Sequence, residues 1–381
     1  MHIVYFANRY HTNQIPIVEY LLRNNHSVQF VVSRKANTED YSLIEPIVCK
    51  EDCLSKFASS VLYKNLPDNV RENKLIDSFV PSLRWLFKFL LANRPDVVIT
   101  RDTSFYSIVV YIVCKLLFIK NCILYTQEPV YVNPSEDKMS FKRHLIHKYL
   151  LPTKEFTPVI VSNSSFEYQQ KHKSKRFFLP FVMSYHEDVR NRDYLKNGKI
   201  NILDIGKYRP YKDHFVLLKA ISILPLDFKK QIHVSIVGQV KNSEEEQYFD
   251  RMRVYIHEQK MENIVSLYKN IPYKEMDQIY LANDVFVLPS KRETASISIL
   301  ESMAHGLVTI SSDKNGTASY IYQDCGFKFV HENVESLKNV LEYIIANKNK
   351  IAVWGKKTFD KSSKDYTAEK YYEGLINIIN S

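Results

Sequence analysis

Glu293 and Glu301 bracket a run containing the small residues Thr294, Ala295, Ser296 and Ser298. A helical pattern starts near Ser296, passes through Ile297 and runs to His305, where Gly306 ends it. A carboxylate in a loop before a helix, and another one to two turns into it, suit gripping a polyol beside a phosphate. The helix start exposes unpaired backbone N–H groups and the positive end of the helix dipole. Small side chains there let an anion approach. Upstream, Asp204-Ile205-Gly206-Lys207-Tyr208-Arg209-Pro210-Tyr211-Lys212-Asp213 ends a strand, turns at a glycine and sets three cations before the next helix. Doubly wound folds bind ligands at strand carboxyl ends. Lys207, Arg209 and Lys212 there would neutralise charge on a diphosphate leaving group. Alone, the loop reads as solvated basic surface and each glutamate as an exposed side chain. Together they argue for a site.

Something must hold these residues, and the bulk numbers bound what. The 381 residues suggest two domains. Hydrophobic residues at 45% and charged residues at 25% are ordinary for a globular protein. A net charge of +10 favours an acidic partner: nucleic acid, an anionic membrane face or a phosphorylated substrate. Five cysteines without C-x-x-C spacing argue against a metal or disulfide framework and for a reducing cytosol. The amino terminus enters a strand directly, with no signal-peptide pattern. All eight glycines lie beyond residue 197. The first half therefore holds no G-x-G-x-x-G fingerprint or P-loop, and a phosphate site belongs in the second half.

Both halves alternate strands and helices, which predicts parallel sheets covered on both faces. In the first, strands are expected over 2–7, 27–33, 97–100, 122–126 and 159–162, with helices over 15–23, 83–93 and 105–119. In the second, strands are expected over 200–205, 232–237, 264–267, 285–288, 307–310 and 326–330. Helices are expected there over 215–224, 244–259, 274–282, 296–305 and 334–347, with a last one over 368–379. The fold class is thus α/β, with two Rossmann-like doubly wound domains facing each other across a cleft. The boundaries are 1–184 for a first domain, 185–199 for a polar linker and 200–365 for a second domain. A carboxyl-terminal helix, about 366–381, packs back on the first domain. Between 138 and 176, nine basic residues interleave with apolar ones, as in a basic amphipathic helix on an anionic membrane surface; a solvated helix face explains it equally well. His144 and His147 lack the companion ligands of a metal site.

Lys-Arg-Glu-Thr-Ala-Ser-Ile-Ser-Ile-Leu-Glu-Ser-Met-Ala-His-Gly over 291–306 resembles the E-x7-E signature of retaining glycosyltransferases of family 4, which have the GT-B fold. The 204–213 segment resembles that family's basic loop, and Val-Ser-Ile-Val-Gly-Gln, ending at Gln239, its strand end at Gly238. The resemblance implies that Glu293 contacts the transferred sugar and Glu301 the ribose. Lys207 and Lys212 would hold the diphosphate, with Arg209 as a substitute. Gly206 and Gly238 would flank the site, Ser296 to Ser298 present amides to the phosphates, and the segment with Asn270 and Ile271 flank the base. It also implies retention without a metal or other cofactor, a glycan or lipid-linked acceptor, bacterial surface polysaccharide synthesis, and a cytoplasmic place, peripheral on the inner membrane face. The chain departs from the family at Thr294-Ala295-Ser296, where E-G-F-G is common. It departs again at Gln127, which stands where a functional histidine is usual. His11, Gln127 and Glu128 are the acceptor-side candidates.

Three rivals stand. A sugar-nucleotide epimerase shares the two-domain layout, and a non-catalytic sugar-nucleotide binder would fit Gln127. A nucleic-acid binder would fit the charge, but the tyrosines are scattered rather than interleaved with the basic residues, so no nucleic-acid partner is expected.

Overall fold

The computed structural model describes the chain except residues 36–38, 65–74, 76–77, 128–129, 132–148, 162–175 and 292. Two compact units result. The first takes Met1–Pro158, Gln169–Val182 and Ala368–Ser381, the second Val159–Tyr168 and Met183–Thr367.

In the first unit, strands β1 His2–Ala7, β2 Ser27–Val32, β3 Ile47–Val48, β4 Val97–Arg101 and β5 Asn121–Tyr125 build most of a sheet. The two-residue strands β6 Val130–Tyr131 and β8 Ile160–Val161 lie outside it, while β7 Lys154–Thr157 and β9 Arg176–Phe178 complete it. Its order is β3-β2-β1-β4-β5-β7-β9, and each pairing is parallel. Alternation along β1 sends Ile3 and Tyr5 into one apolar cluster and Val4 and Phe6 into another, so both faces are covered. The helix Ala368–Asn380 adds Tyr371, Leu375 and Ile378 to the cluster of Ile3 and Tyr5.

The second unit carries β10 Ile200–Ile205, β11 Ile232–Gly238, β12 Val265–Lys269, β13 Val285–Leu288, β14 Val308–Ser312 and β15 Phe327–Phe329. Their order is β12-β11-β10-β13-β14-β15, again parallel. Strand numbering climbs in both directions from β10 and β13, so the order reverses between these two. Such a reversal leaves a crevice outside the strand carboxyl ends.

Three expectations need correction. Residues 185–199 are no free linker but are docked on the second unit. Arg192 donates to the carbonyls of His305 and Leu281 at 2.5 and 3.1 Å and to that of Asn283. The Tyr194 hydroxyl donates to the Gly306 carbonyl at 2.8 Å, and Asp284 accepts from the amide of Leu195 at 2.9 Å. A buried carboxylate and several helix-end carbonyls needed donors, and this polar segment supplies them. The strand expected over 159–162 is the short β8, Ile160–Val161, which lies outside the main sheet, and the sheet strand there is Lys154–Thr157, which was not expected. A helix that the periodicity did not predict spans Ile351–Asp365, burying Ile351, Trp354, Thr358, Phe359 and Ser362 at helical spacing.

Candidate active site

β10 and β13 pair directly, Ile202 opposite Val285. The basic loop, residues 206–213, follows β10, and residues 289–296 follow β13, so both motifs open at the reversal point. The two loops are bonded to each other. The Lys291 amide donates to the Tyr211 carbonyl at 2.9 Å, and Lys212 Nζ lies 2.6 Å from Glu293 Oε1. Ser290 donates to Glu293 Oε2 at 2.9 Å, so both carboxylate oxygens are held. A third loop braces them: the Gly316 amide donates to the Glu293 carbonyl at 2.8 Å, and Ser312 to the Ser290 carbonyl at 2.6 Å. A Cβ at Gly316 would meet the Thr294 carbonyl at 2.0 Å, so only glycine fits there.

Tyr208 pins the basic loop from within. It is fully buried, and its hydroxyl donates toward the carbonyls of Ile236 and Tyr268 at 3.0 and 2.7 Å. A Cβ at Gly238 would meet the Gly206 carbonyl at 2.3 Å and the Tyr208 ring at 2.7 Å. These glycines therefore serve close packing of strand end against loop. Lys207 takes no carboxylate partner among the described residues. Burial draws its pKa below the usual lysine range, and the nearby Arg209, Lys241 and Lys212 add to this while Glu245 opposes it. Cations crowded until one is destabilised make a place for an anion. Arg209 is the exception among the expected phosphate ligands. Its Nε donates to Glu245 Oε1 at 2.5 Å, and Glu245 is almost wholly buried, so Arg209 is committed to the protein.

The helix Ile297–Ala304 begins beside this cluster. Ser296 stands at its N-cap without capping it through the side chain; its hydroxyl pairs with that of Ser298 at 2.7 Å, and its amide donates to Thr317 Oγ1 at 3.2 Å. One to two turns on, Glu301 Oε2 accepts from the Tyr280 hydroxyl at 2.7 Å. Burial pushes the Glu301 carboxyl above its usual range, the Tyr280 bond pulls it back, and Asp277 pushes it up again. Tyr280 is buried and stacks on His305 with centroids 4.8 Å apart. Asn270, at a left-handed φ of 58°, ties its side chain to the amide of Val240 at 2.9 Å, and Ile271 follows it, half-buried.

Residues 187–361 match the family model described as glycosyl transferases group 1. That stretch is similar to a group 1 glycosyltransferase domain.

Beyond that domain, the chain is similar to the GDP-Man:Man(3)GlcNAc(2)-PP-Dol alpha-1,2-mannosyltransferase of Dictyostelium discoideum, 23% identical over 52% of this chain and 43% of that protein. It is also similar to an uncharacterized 41.2 kDa protein in the cps region of Klebsiella pneumoniae, 22% identical over 59% of this chain and 60% of the other. The chain thus spans less than two thirds of either relative. Among solved structures, a glycosyltransferase from Rickettsia africae superposes with a TM-score of 0.70 at 14% identity, over 99% of this chain and 97% of that one. Anabaena HepE in complex with UDP superposes at 0.66 and 11% identity over the whole of both chains. The fold is therefore that of GT-B glycosyltransferases, two Rossmann-like domains with parallel sheets.

Of the acceptor-side candidates, His11 and Gln127 stand in the first unit, outside the stretch that matches the family model. His11 Nδ1 lies 3.5 Å from Glu39 Oε1. Burial, then Arg101 and Arg9, push its pKa down to about 3, so it is a neutral imidazole at physiological pH. Gln127 donates to the Tyr125 hydroxyl at 3.1 Å. Glu128 lies outside the described residues, as does most of the basic stretch over 138–176. Sequence reasoning assigned no role to Ser290, Glu245, Tyr280 or His214. Glu245 carried a signal, since Asn242 three residues before it forms an N-cap and accepts its amide at 3.0 Å.

Proposed function

We propose that the chain is a sugar-nucleotide-dependent glycosyltransferase. It transfers with retention to a glycan acceptor carried on a lipid, in bacterial surface polysaccharide synthesis, and works at the inner face of the cell membrane. One observation carries the reading. The Lys212–Glu293 pair and an unneutralised Lys207 lie in the loops that open at the sheet's reversal point, within the stretch that matches group 1 glycosyl transferases. Lys207 and Lys212 hold the donor diphosphate with the amides that open the Ile297–Ala304 helix. They stabilise charge as it develops on the leaving group, which is the work a metal ion does elsewhere. Glu293, fixed by Lys212 and Ser290, contacts the transferred sugar. Glu301 accepts from the ribose, and Asn270 and Ile271 flank the base. This assignment carries the family 4 reading and its E-x7-E pair.

The acceptor is assigned to the first unit, with His11, Gln127 and Glu128 as its candidate residues. The lipid carrier finds support in the mannosyltransferase relative, whose acceptor bears PP-Dol, and the polysaccharide in the cps-region relative. A basic stretch over 138–176 supports attachment to an anionic membrane. The test is transfer from UDP-, GDP-, ADP- and TDP-sugars to short lipid-pyrophosphoryl-linked glycans, with the product's anomeric configuration read by NMR. A lengthened glycan with the donor's anomeric configuration is expected. Inverted product overturns retention. Conversion of the donor to an epimer without acceptor overturns the transferase reading.

A further inference from the structure

His214 opens the helix His214–Ser222 and is completely buried. Its two ring nitrogens face two acceptors. Nδ1 lies 2.7 Å from Asp204 Oδ2, and Nε2 lies 3.1 Å from the Lys207 carbonyl. A carboxylate and a carbonyl both accept, so both nitrogens donate, and an imidazole with two N–H groups is an imidazolium. The ring also sits under the turn of the loop, since a Cβ at Gly206 would meet His214 Cε1 at 3.2 Å. Asp204 is itself completely buried, and its Oδ1 has no partner among the described residues. Among the described residues, the His214 ring is the side chain bonded to that buried carboxyl group.

We propose that His214 is the positioning residue of the basic loop. Seated on Asp204, it holds the Lys207 carbonyl and so sets where the cations of Lys207 and Lys212 stand against the donor diphosphate. The inference rests on the donor reading of that loop but concerns a residue that touches no substrate. Asp204 faces the ring from β10; Lys207, Tyr208 and Lys212 face it from the loop; Asp213 precedes it; and Tyr248 approaches from the Ser243–Glu258 helix at 6.1 Å between centroids. Burial pulls the imidazolium's pKa down, but Asp204 and the Lys207 carbonyl outweigh it, and the net direction is upward. The proton is therefore held through the ordinary histidine range and is lost as pH rises beyond it. The loop loosens on the alkaline side.

Selective 15N-histidine NMR of the full chain tests this directly. One of the 12 histidines should show both ring nitrogens protonated at pH 7.5, and that signal should vanish in His214→Gln. Hydrogen exchange at the amides of residues 207–212 should run about tenfold faster in His214→Gln, the effect of one lost hydrogen bond to a charged group, with UDP, GDP or ADP bound more weakly by the same factor. If the variant does not fold, the wild-type chain compared at pH 7 and pH 9, after correction for intrinsic exchange, reads the same release. A neutral His214 at pH 7.5, or loop exchange unmoved by substitution and pH, overturns the positioning role. A wild-type chain that binds none of UDP, GDP and ADP overturns the donor reading instead.

Discussion

Lys212 Nζ rests 2.6 Å from Glu293 Oε1, with the two side chains only 10% and 16% exposed. This pair joins the loop after β10 to the loop after β13 and, in the proposed function, joins the cations assigned to the phosphates to the carboxylate assigned to the sugar. Each holds the other's side chain in place.

Removing either partner should therefore affect chemistry more than folding, because the loops are also tied through backbone bonds from Lys291 and Gly316. Lys212→Met and Glu293→Gln are each expected to lower kcat by about 100-fold or more, the usual loss when a fixed group facing developing charge is removed. Circular dichroism should remain that of the wild type. Steady-state kinetics showing near-normal kcat in both variants would take the site away from this pair.

If Glu301 holds the ribose as proposed, Tyr280 and Glu301 should set an acid limit on donor binding. Glu301 must be ionised to accept from both ribose hydroxyls, and burial raises its pKa, so affinity falls as pH drops through a value above the usual carboxylate range. Tyr280→Phe removes the one contribution that lowers this pKa. The acid limb of kcat/KM should then move to higher pH, and nucleotide affinity near neutrality should fall about tenfold. An unmoved acid limb contradicts the assignment of Glu301 to the ribose.

Gly238→Ala should damage stability and binding together. The added methyl meets the Gly206 carbonyl at 2.3 Å and the Tyr208 ring at 2.7 Å, in a strand end with no room to yield. Overpacking of this kind costs about 2 kcal/mol, or roughly 4–8 °C in Tm for a unit of this size. Calorimetry of the variant checks it, and an unchanged Tm would show that the loop is not packed on β11.

Arg192 gives the clearest stability prediction away from the site. Its guanidinium serves the carbonyls of His305, Leu281 and Asn283, and burial lowers its own pKa below the usual arginine range. Arg192→Lys should lose about 2–3 kcal/mol, since one ammonium cannot reproduce the planar fork and buried carbonyls go unmet. Urea denaturation followed by tryptophan fluorescence, with Trp354 in the second unit, measures it. Wild-type behaviour would mean residues 185–199 do act as a loose linker.

Most of the second unit's frame was legible because its central strands are buried on both faces. The unbroken apolar run of β13 announces itself, and β10 keeps four of its six positions apolar around Asn201 and Asp204. Gly206 with its clustered cations marks the loop after β10, and small residues mark the loop after β13. The Ile351–Asp365 helix hid behind its lysines and serines, although Ile351, Trp354, Thr358, Phe359 and Ser362 keep helical spacing. β7 was obscured because Lys154 and Glu155 look unlike a buried strand, yet Glu155 is buried. At the site, Glu293 and Lys212 stand out by residue type and motif. Their partners do not. The bonds of Tyr280 to Glu301, Arg209 to Glu245 and Arg192 to three carbonyls join positions 21 to 113 residues apart, and no local pattern encodes such pairings. Arg209 shows the same gap, as loop composition reveals a cation but not the buried carboxylate it bonds.

The most direct test of the account is thermal unfolding of the wild type and Lys212→Met with a panel of UDP-, GDP-, ADP- and TDP-sugars. One nucleotide class should raise the wild-type Tm in a saturable way, as binding to the native state requires, and should leave Lys212→Met almost unmoved. No stabilisation by any member of the panel, or equal stabilisation of both proteins, would contradict a sugar-diphosphate site built on Lys212 and Glu293.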